Sequence, residues 1–91
     1  MELKRVVVTG LGAVTPLGNN VEETWKNLLN GVSGAAPITL FDASSFKTQF
    51  ACEVKDLKVN DYIDRKEARK MDRYAQLAII AAKQAVQDSG M

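Results

Sequence analysis

The sequence predicts an α/β protein, and three observations carry that prediction. Val6, Val7 and Val8 form a β-branched run closed by Thr9-Gly10, which reads as an interior strand apolar on both faces. Asp64 to Gly90 is the one long helical pattern in the chain. Between them lie a shorter helical pattern and a stretch of period two. The order is therefore strand, helix, long loop, strand, long helix.

After the first strand comes Gly10-Leu11-Gly12. A dinucleotide-binding loop would want a third glycine at position 15, where Thr15 stands before Pro16, and no helix opens at once. The glycines instead predict a tight chain path beside a close neighbour. Asn20 can cap a helix from Val21 to about Asn30, with Val21, Trp25, Leu28 and Leu29 as its apolar face and Gly31 as its stop. Glu22 and Lys26 are spaced as a favourable pair. Trp25 reads as a packing anchor. Ser33-Gly34-Ala35-Ala36-Pro37 reads as loop. Phe46, Phe50, Cys52 and Val54 then alternate with Lys47, Gln49, Glu53 and Lys55, a strand with one buried face. Cys52 falls on that face and is expected to be a buried structural thiol. A nucleophilic role would need a base, and the chain has no histidine.

In the long helix, Ala68, Met71, Ala75, Ala78, Ala82 and Ala85 form one stripe of mostly small residues, which lets a neighbouring backbone come close. Leu77, Ile79, Ile80 and Val86 make its later turns apolar almost all round. Arg65, Lys66, Arg69, Lys70 and Arg73 fall within roughly 140° of arc opposite Met71, with Glu67 on the apolar side. Asp64 and Glu67 are spaced as a capping box. Asp72 is a second possible cap, but the periodicity favours one unbroken helix.

Composition bounds the function. Of 91 residues, 46% are hydrophobic and 25% charged, as in ordinary globular chains, and the net charge of +1 gives no bulk attraction to nucleic acid or membrane. One cysteine makes no internal disulfide, and there is no metal-ligand pattern. Thr9, Gly10 and Gly12 break the apolar start that faintly mimics a signal peptide. A soluble cytoplasmic protein is expected. Two strands and one short helix cannot cover the long helix, so the chain is expected to be part of a larger fold, without its own covalent, acid–base or metal chemistry.

The run from Lys4 through Val6-Val7-Val8-Thr9-Gly10-Leu11-Gly12 to Thr15-Pro16-Leu17-Gly18-Asn19 resembles the start of the β-ketoacyl-acyl-carrier-protein synthases. So do Trp25, Leu28, Gly31, Ser33-Gly34 and Phe41-Asp42. The sharpest match is Arg65-Lys66-Glu67-Ala68-Arg69-Lys70-Met71-Asp72-Arg73-Tyr74, followed by Ala81-Ala82 and Asp88-Ser89-Gly90. It is similar to the type II condensing enzymes of bacterial fatty acid elongation rather than the type I form. Leu57, where phenylalanine is common, and Ala35-Ala36, where a larger apolar residue often stands, are small departures.

The resemblance implies that residues 1–91 are the N-terminal portion of a layered αβαβα thiolase-like fold in a homodimer. The implied reaction is decarboxylative Claisen condensation of malonyl-carrier protein with an enzyme-bound acyl thioester, with no cofactor. The family's nucleophilic cysteine and two histidines have no counterpart here, so no catalytic residue is assigned. The segment is expected to supply scaffold and part of the acyl-carrier-protein docking surface. Lys66, Arg69 and Lys70 match family positions that contact the acidic carrier.

Three other readings stand beside this one. The basic face can be an ordinary solvated helix surface. It can be a nucleic-acid-binding helix, which the balanced charge and the nearby acids argue against. Within the enzyme class, the ketosynthase of an aromatic polyketide pathway has a similar start.

Overall fold

The computed structural model describes residues 2–91. Three helices and one small sheet form: α1 (Val21–Leu29), β1 (Ala35–Pro37), β2 (Phe50–Cys52), α2 (Arg65–Ala68) and α3 (Arg73–Asp88), with a single 3₁₀ turn at Val59–Asp61 before α2.

Helix α1 begins as its sequence dictates. The Asn20 side chain accepts the Glu23 amide at 2.7 Å, and this cap is worth about 1 kcal/mol. Gly31 follows at φ +69°, a backbone state that stops a helix cheaply only at glycine. Its packed side, however, is Val21, Thr24 and Asn27, whereas Trp25, Leu28 and Leu29 are exposed. Polar anchoring replaces the expected apolar face. Asn27 donates to the Leu17 carbonyl at 2.5 Å, and the Thr24 hydroxyl meets Thr15 Oγ1 at 2.9 Å. The Glu22–Lys26 pair does not form; the one ion pair among the described residues is Lys70–Glu67.

The sheet is an antiparallel pair, with Ala35 opposite Cys52, Ala36 opposite Ala51 and Pro37 opposite Phe50. The segment expected as loop thus holds β1. Pro37 does not interrupt the ladder, since the Ile38 amide beyond it donates to the Gln49 carbonyl at 3.0 Å. The partner strand is shorter than its alternation predicts, and its apolar face is not buried: Phe46, Phe50 and Cys52 are exposed. With only one neighbour, β2 has nothing to lie against on that face. The same explanation covers Val6–Val8, where the expected interior strand has no ladder partner among the described residues; Val6 is 88% exposed.

The long helical pattern is two helices, not one. Ala68 ends α2, and Asp72 is extended (φ −71°, ψ 161°) before α3 starts. Neither Asp64 nor Asp72 makes a side-chain cap bond, so the capping box is not built. The freed Ala68 carbonyl accepts the Met71 amide at 3.2 Å and the Gln76 side-chain amide at 2.9 Å. Packing explains the break. Ile63, Ala68 and Ile80 share one buried cluster, surrounded by Val14, Leu57, Val59, Tyr62, Met71 and Ile79. A straight helix would hold Ala68 and Ile80 about 18 Å apart along its axis. Breaking it lets both reach the same core. The side chain of Lys83 then ties α3 to the Tyr62 carbonyl.

The glycines behave as expected. A Cβ on Gly10 would overlap the Ala85 carbonyl oxygen and lie 2.7 Å from the Ser89 nitrogen. One on Gly12 would overlap the Ala81 carbonyl oxygen. The first segment therefore runs directly along the α3 backbone, over Ala81 and Ala85. Ala78 and Ala82 of the small-residue stripe remain exposed. The radius of gyration is 16.6 Å, against about 12 Å for a compact domain of this length. The extra size reflects an elongated outline of 59 × 37 × 27 Å, and large apolar residues stand exposed along it among the described residues.

Candidate functional site

The basic segment is carried by α2 and the turn after it. Ala68 is the one buried residue of α2, and it plugs the helix into the Ile63–Ile80 cluster. That anchorage leaves Arg65, Lys66 and Glu67 exposed on the helix, while Arg69 and Lys70 are exposed in the turn that closes it. The three residues singled out from the sequence, Lys66, Arg69 and Lys70, are thus all accessible within five consecutive positions. The helix break sets their arrangement: Lys66 belongs to α2, Arg69 is its C-cap in αR conformation, and Lys70 donates its backbone N–H to the Glu67 carbonyl at 3.1 Å.

Glu67 departs from its expected place on the apolar side. It is exposed, and its Oε1 lies 3.8 Å from Lys70 Nζ. No carboxylate lies within 4.0 Å of Lys66 or Arg69 among the described residues. Arg65 and Arg69 also border a shallow hollow of about 300 Å³, with Val59, Asn60, Ala68 and Gln76 on its other sides. Sequence reasoning missed Gln76, whose side chain closes the end of α2. Its spacing of eight residues from Ala68 has meaning only once the helix is broken.

A second polar constellation holds the glycine segment to α3. Gln84 accepts the Ala13 amide at 3.1 Å and donates to the Asn19 carbonyl at 2.6 Å, and Asp88 accepts the Leu11 amide at 3.0 Å. An open groove of about 500 Å³ beside them is bordered by Leu11, Asn20, Val21, Glu22, Gln84, Gln87 and Asp88. It contains carboxylates and amides but no nucleophile paired with a base. Cys52 is exposed on β2, away from this groove. No group of three or more His, Cys, Asp or Glu side chains is placed to hold a metal among the described residues. No helix among them is long and apolar enough to cross a membrane.

Two carboxylates are shifted, both in loops away from these constellations. Glu53 takes the Thr39 hydroxyl at 2.9 Å as well as the Thr39 and Leu40 amides, and the hydroxyl contact foremost holds its pKa below the usual glutamate value. Asp42 is likewise lowered, chiefly by the Ser44 amide at 3.0 Å.

This geometry is a mixed α/β scaffold that presents a basic surface segment. The family description that matches is the β-ketoacyl synthase N-terminal domain, over residues 3–91, and the chain belongs to that family. A 3-oxoacyl-[acyl-carrier-protein] synthase 2 of Coxiella burnetii is 54% identical over 91 residues, covering 100% of this chain and 22% of the relative. The synthase 2 of Synechocystis sp. is 49% identical over 89 residues, covering 98% of this chain and 21% of the relative. Among solved structures, the ishigamide ketosynthase/chain length factor is similar with a TM-score of 0.85 and 41% identity, over 93% of this chain and 21% of that one. The fold is accordingly the N-terminal part of a thiolase-like α/β fold. The chain spans about a fifth of the length of the curated relatives it matches.

Proposed function

We propose that these 91 residues are the N-terminal portion of a 3-oxoacyl-[acyl-carrier-protein] synthase II. The enzyme elongates fatty acids by decarboxylative condensation of malonyl-carrier protein with an enzyme-bound acyl thioester. The observation that carries this reading is the 49–54% identity to synthases of that name along nearly the whole chain. The nucleophilic cysteine and the enolate-stabilising histidines lie in the remainder of the enzyme. Without histidine, this segment has no imidazole to offer the developing enolate charge. Its part is scaffold and docking: Lys66, Arg69 and Lys70 meet the acidic carrier protein, and we place the enzyme in the cytoplasm as a homodimer.

Incubating the complete enzyme with acyl- and malonyl-carrier protein tests the reaction. The expected product is a β-ketoacyl-carrier protein two carbons longer, with release of carbon dioxide. No condensation with malonyl-carrier protein would refute the reading. The 41% identity to a ketosynthase/chain length factor supports a second one, a polyketide ketosynthase. Its mark would be repeated condensation on one chain without intervening reduction. The higher identity to the synthase 2 relatives favours the first.

A further inference from the structure

We propose that Glu67 is a resident competitor for Lys70, and so sets how strongly the basic face around α2 draws in its acidic partner. This rests on reading that face as the carrier-protein docking surface.

Five basic residues stand between positions 65 and 73, and Glu67 lies in their midst. Its carboxylate is 3.8 Å from Lys70 Nζ. Charge-assisted hydrogen bonds close to about 2.7–2.9 Å, so this contact is coulombic attraction rather than a formed bond. The lysine side chain is 74% exposed and the glutamate 59%, so water and salt screen the pair. It is therefore weak and can open without stranding a buried charge. Meanwhile the backbone bond from the Lys70 amide to the Glu67 carbonyl, at 3.1 Å, keeps the two residues on one turn.

The three docking residues thus start from different states. Lys66 and Arg69 have no carboxylate at hand, whereas Lys70 has one three residues away. An incoming carboxylate engages the first two directly and must displace Glu67 from the third. Until it does, Glu67 also subtracts from the field that steers encounter. A partner presenting a single acidic group gains little from opening the pair. One presenting several at the right spacing gains a third contact. Glu67 is in this way an element that works against wrong partners.

The experiment measures association of the complete enzyme with acyl-carrier protein by stopped flow across a range of salt. Glu67→Gln keeps side-chain size and removes the charge; Glu67→Ala repeats the charge removal with a different side chain. Both should speed association roughly twofold to fivefold at low ionic strength, with the gain fading as salt rises. In a Lys70→Ala background the gain should shrink, because the competed-for group is gone. An equal gain with and without Lys70 would overturn the pairing. So would no gain from either Glu67 variant while Lys66→Glu and Arg69→Glu slow association, an outcome that leaves the docking reading intact. If neither Glu67 variant and neither of Lys66→Glu and Arg69→Glu changes association, both the inference and the docking reading fail.

Discussion

Gly12 lies directly against the backbone of Ala81. A Cβ placed on Gly12 would overlap the Ala81 carbonyl oxygen and come within 2.8 Å of the Ala85 nitrogen. These are backbone atoms of a helix, so no side-chain rotation relieves the clash. Gly12→Ala should therefore destabilise the complete enzyme by about 1–3 kcal/mol or more, as overpacking in a tight interior does. Thermal unfolding beside a control such as Lys47→Ala, at an exposed polar position, measures it. Equal melting temperatures would show that the segment and the helix can separate freely.

Gln84 joins two parts of the same loop to α3 through the Ala13 amide and the Asn19 carbonyl. Gln84→Ala removes both partners at once from a partly buried place. The expected loss is about 1–3 kcal/mol, since the stranded groups are not fully rehydrated. Gln84→Glu retains an acceptor for Ala13 but cannot donate to Asn19 when ionised. It should be destabilised as well, and relieved in part as acid protonates it. Denaturant midpoints for the two variants at two pH values separate these effects.

Local chemistry is what the sequence shows plainly. Asn20 caps, Gly31 stops, and Gly10 and Gly12 permit close approach because each depends on a few neighbouring atoms. Burial is read less well. Trp25, Cys52 and Val6–Val8 have the pattern of covered residues yet stand exposed, because pattern records the need for cover and not its presence. The break between Ala68 and Arg73 is hidden for another reason. Periodicity cannot tell a straight helix from two that fold onto one core, and the deciding partner, Ile63, lies outside the pattern. The basic residues were legible as a group, and the spacing of three between Glu67 and Lys70 already allowed their pairing.

Glu53 supplies a pH-dependent tie. Its bonds from Thr39 and Leu40 lower its pKa in the folded chain, so the contribution is fully present above the ordinary glutamate pKa. It is lost as pH falls through the lower folded value. Amide exchange at Thr39 and Leu40 should quicken on acidification through that window. Glu53→Gln should flatten the response. Equal pH profiles for parent and variant would remove Glu53 from the account.

The 91 residues expressed alone should be oligomeric, molten or aggregation-prone, and should show no condensing activity. Among the described residues, Ile63, Ala68, Ile80 and Ala43 are the buried hydrophobic ones, whereas Val6, Val8, Leu29, Leu40 and Phe50 stand well exposed. A chain this small has little stability to spare and presents an unpaired edge. Size-exclusion chromatography and calorimetry decide it: a monomer with a sharp cooperative transition would mark a self-standing module. Turnover that survives Cys52→Ala would place chemistry where none is assigned.

The basic face is tested by reversing it. In the complete enzyme, Lys66→Glu, Arg69→Glu and Lys70→Glu together replace three accessible positive charges with negative ones. Each exposed pair contributes only about 0–1 kcal/mol, so a single substitution should raise the KM for carrier-bound substrate modestly. Together they act mainly on encounter, because complementary charge steers association more than it tightens contact. The triple variant should therefore lose kcat/KM with carrier-bound thioesters relative to pantetheine or coenzyme A thioesters. Screening over about 8 Å at physiological ionic strength should make the parent salt-sensitive and flatten that dependence in the variant. A nucleic-acid-binding helix would instead show salt-steep affinity for polynucleotide and indifference to the carrier. If the ratio of carrier-bound to small-thioester efficiency is the same in parent and triple variant, the face is solvated helix surface and docking lies elsewhere.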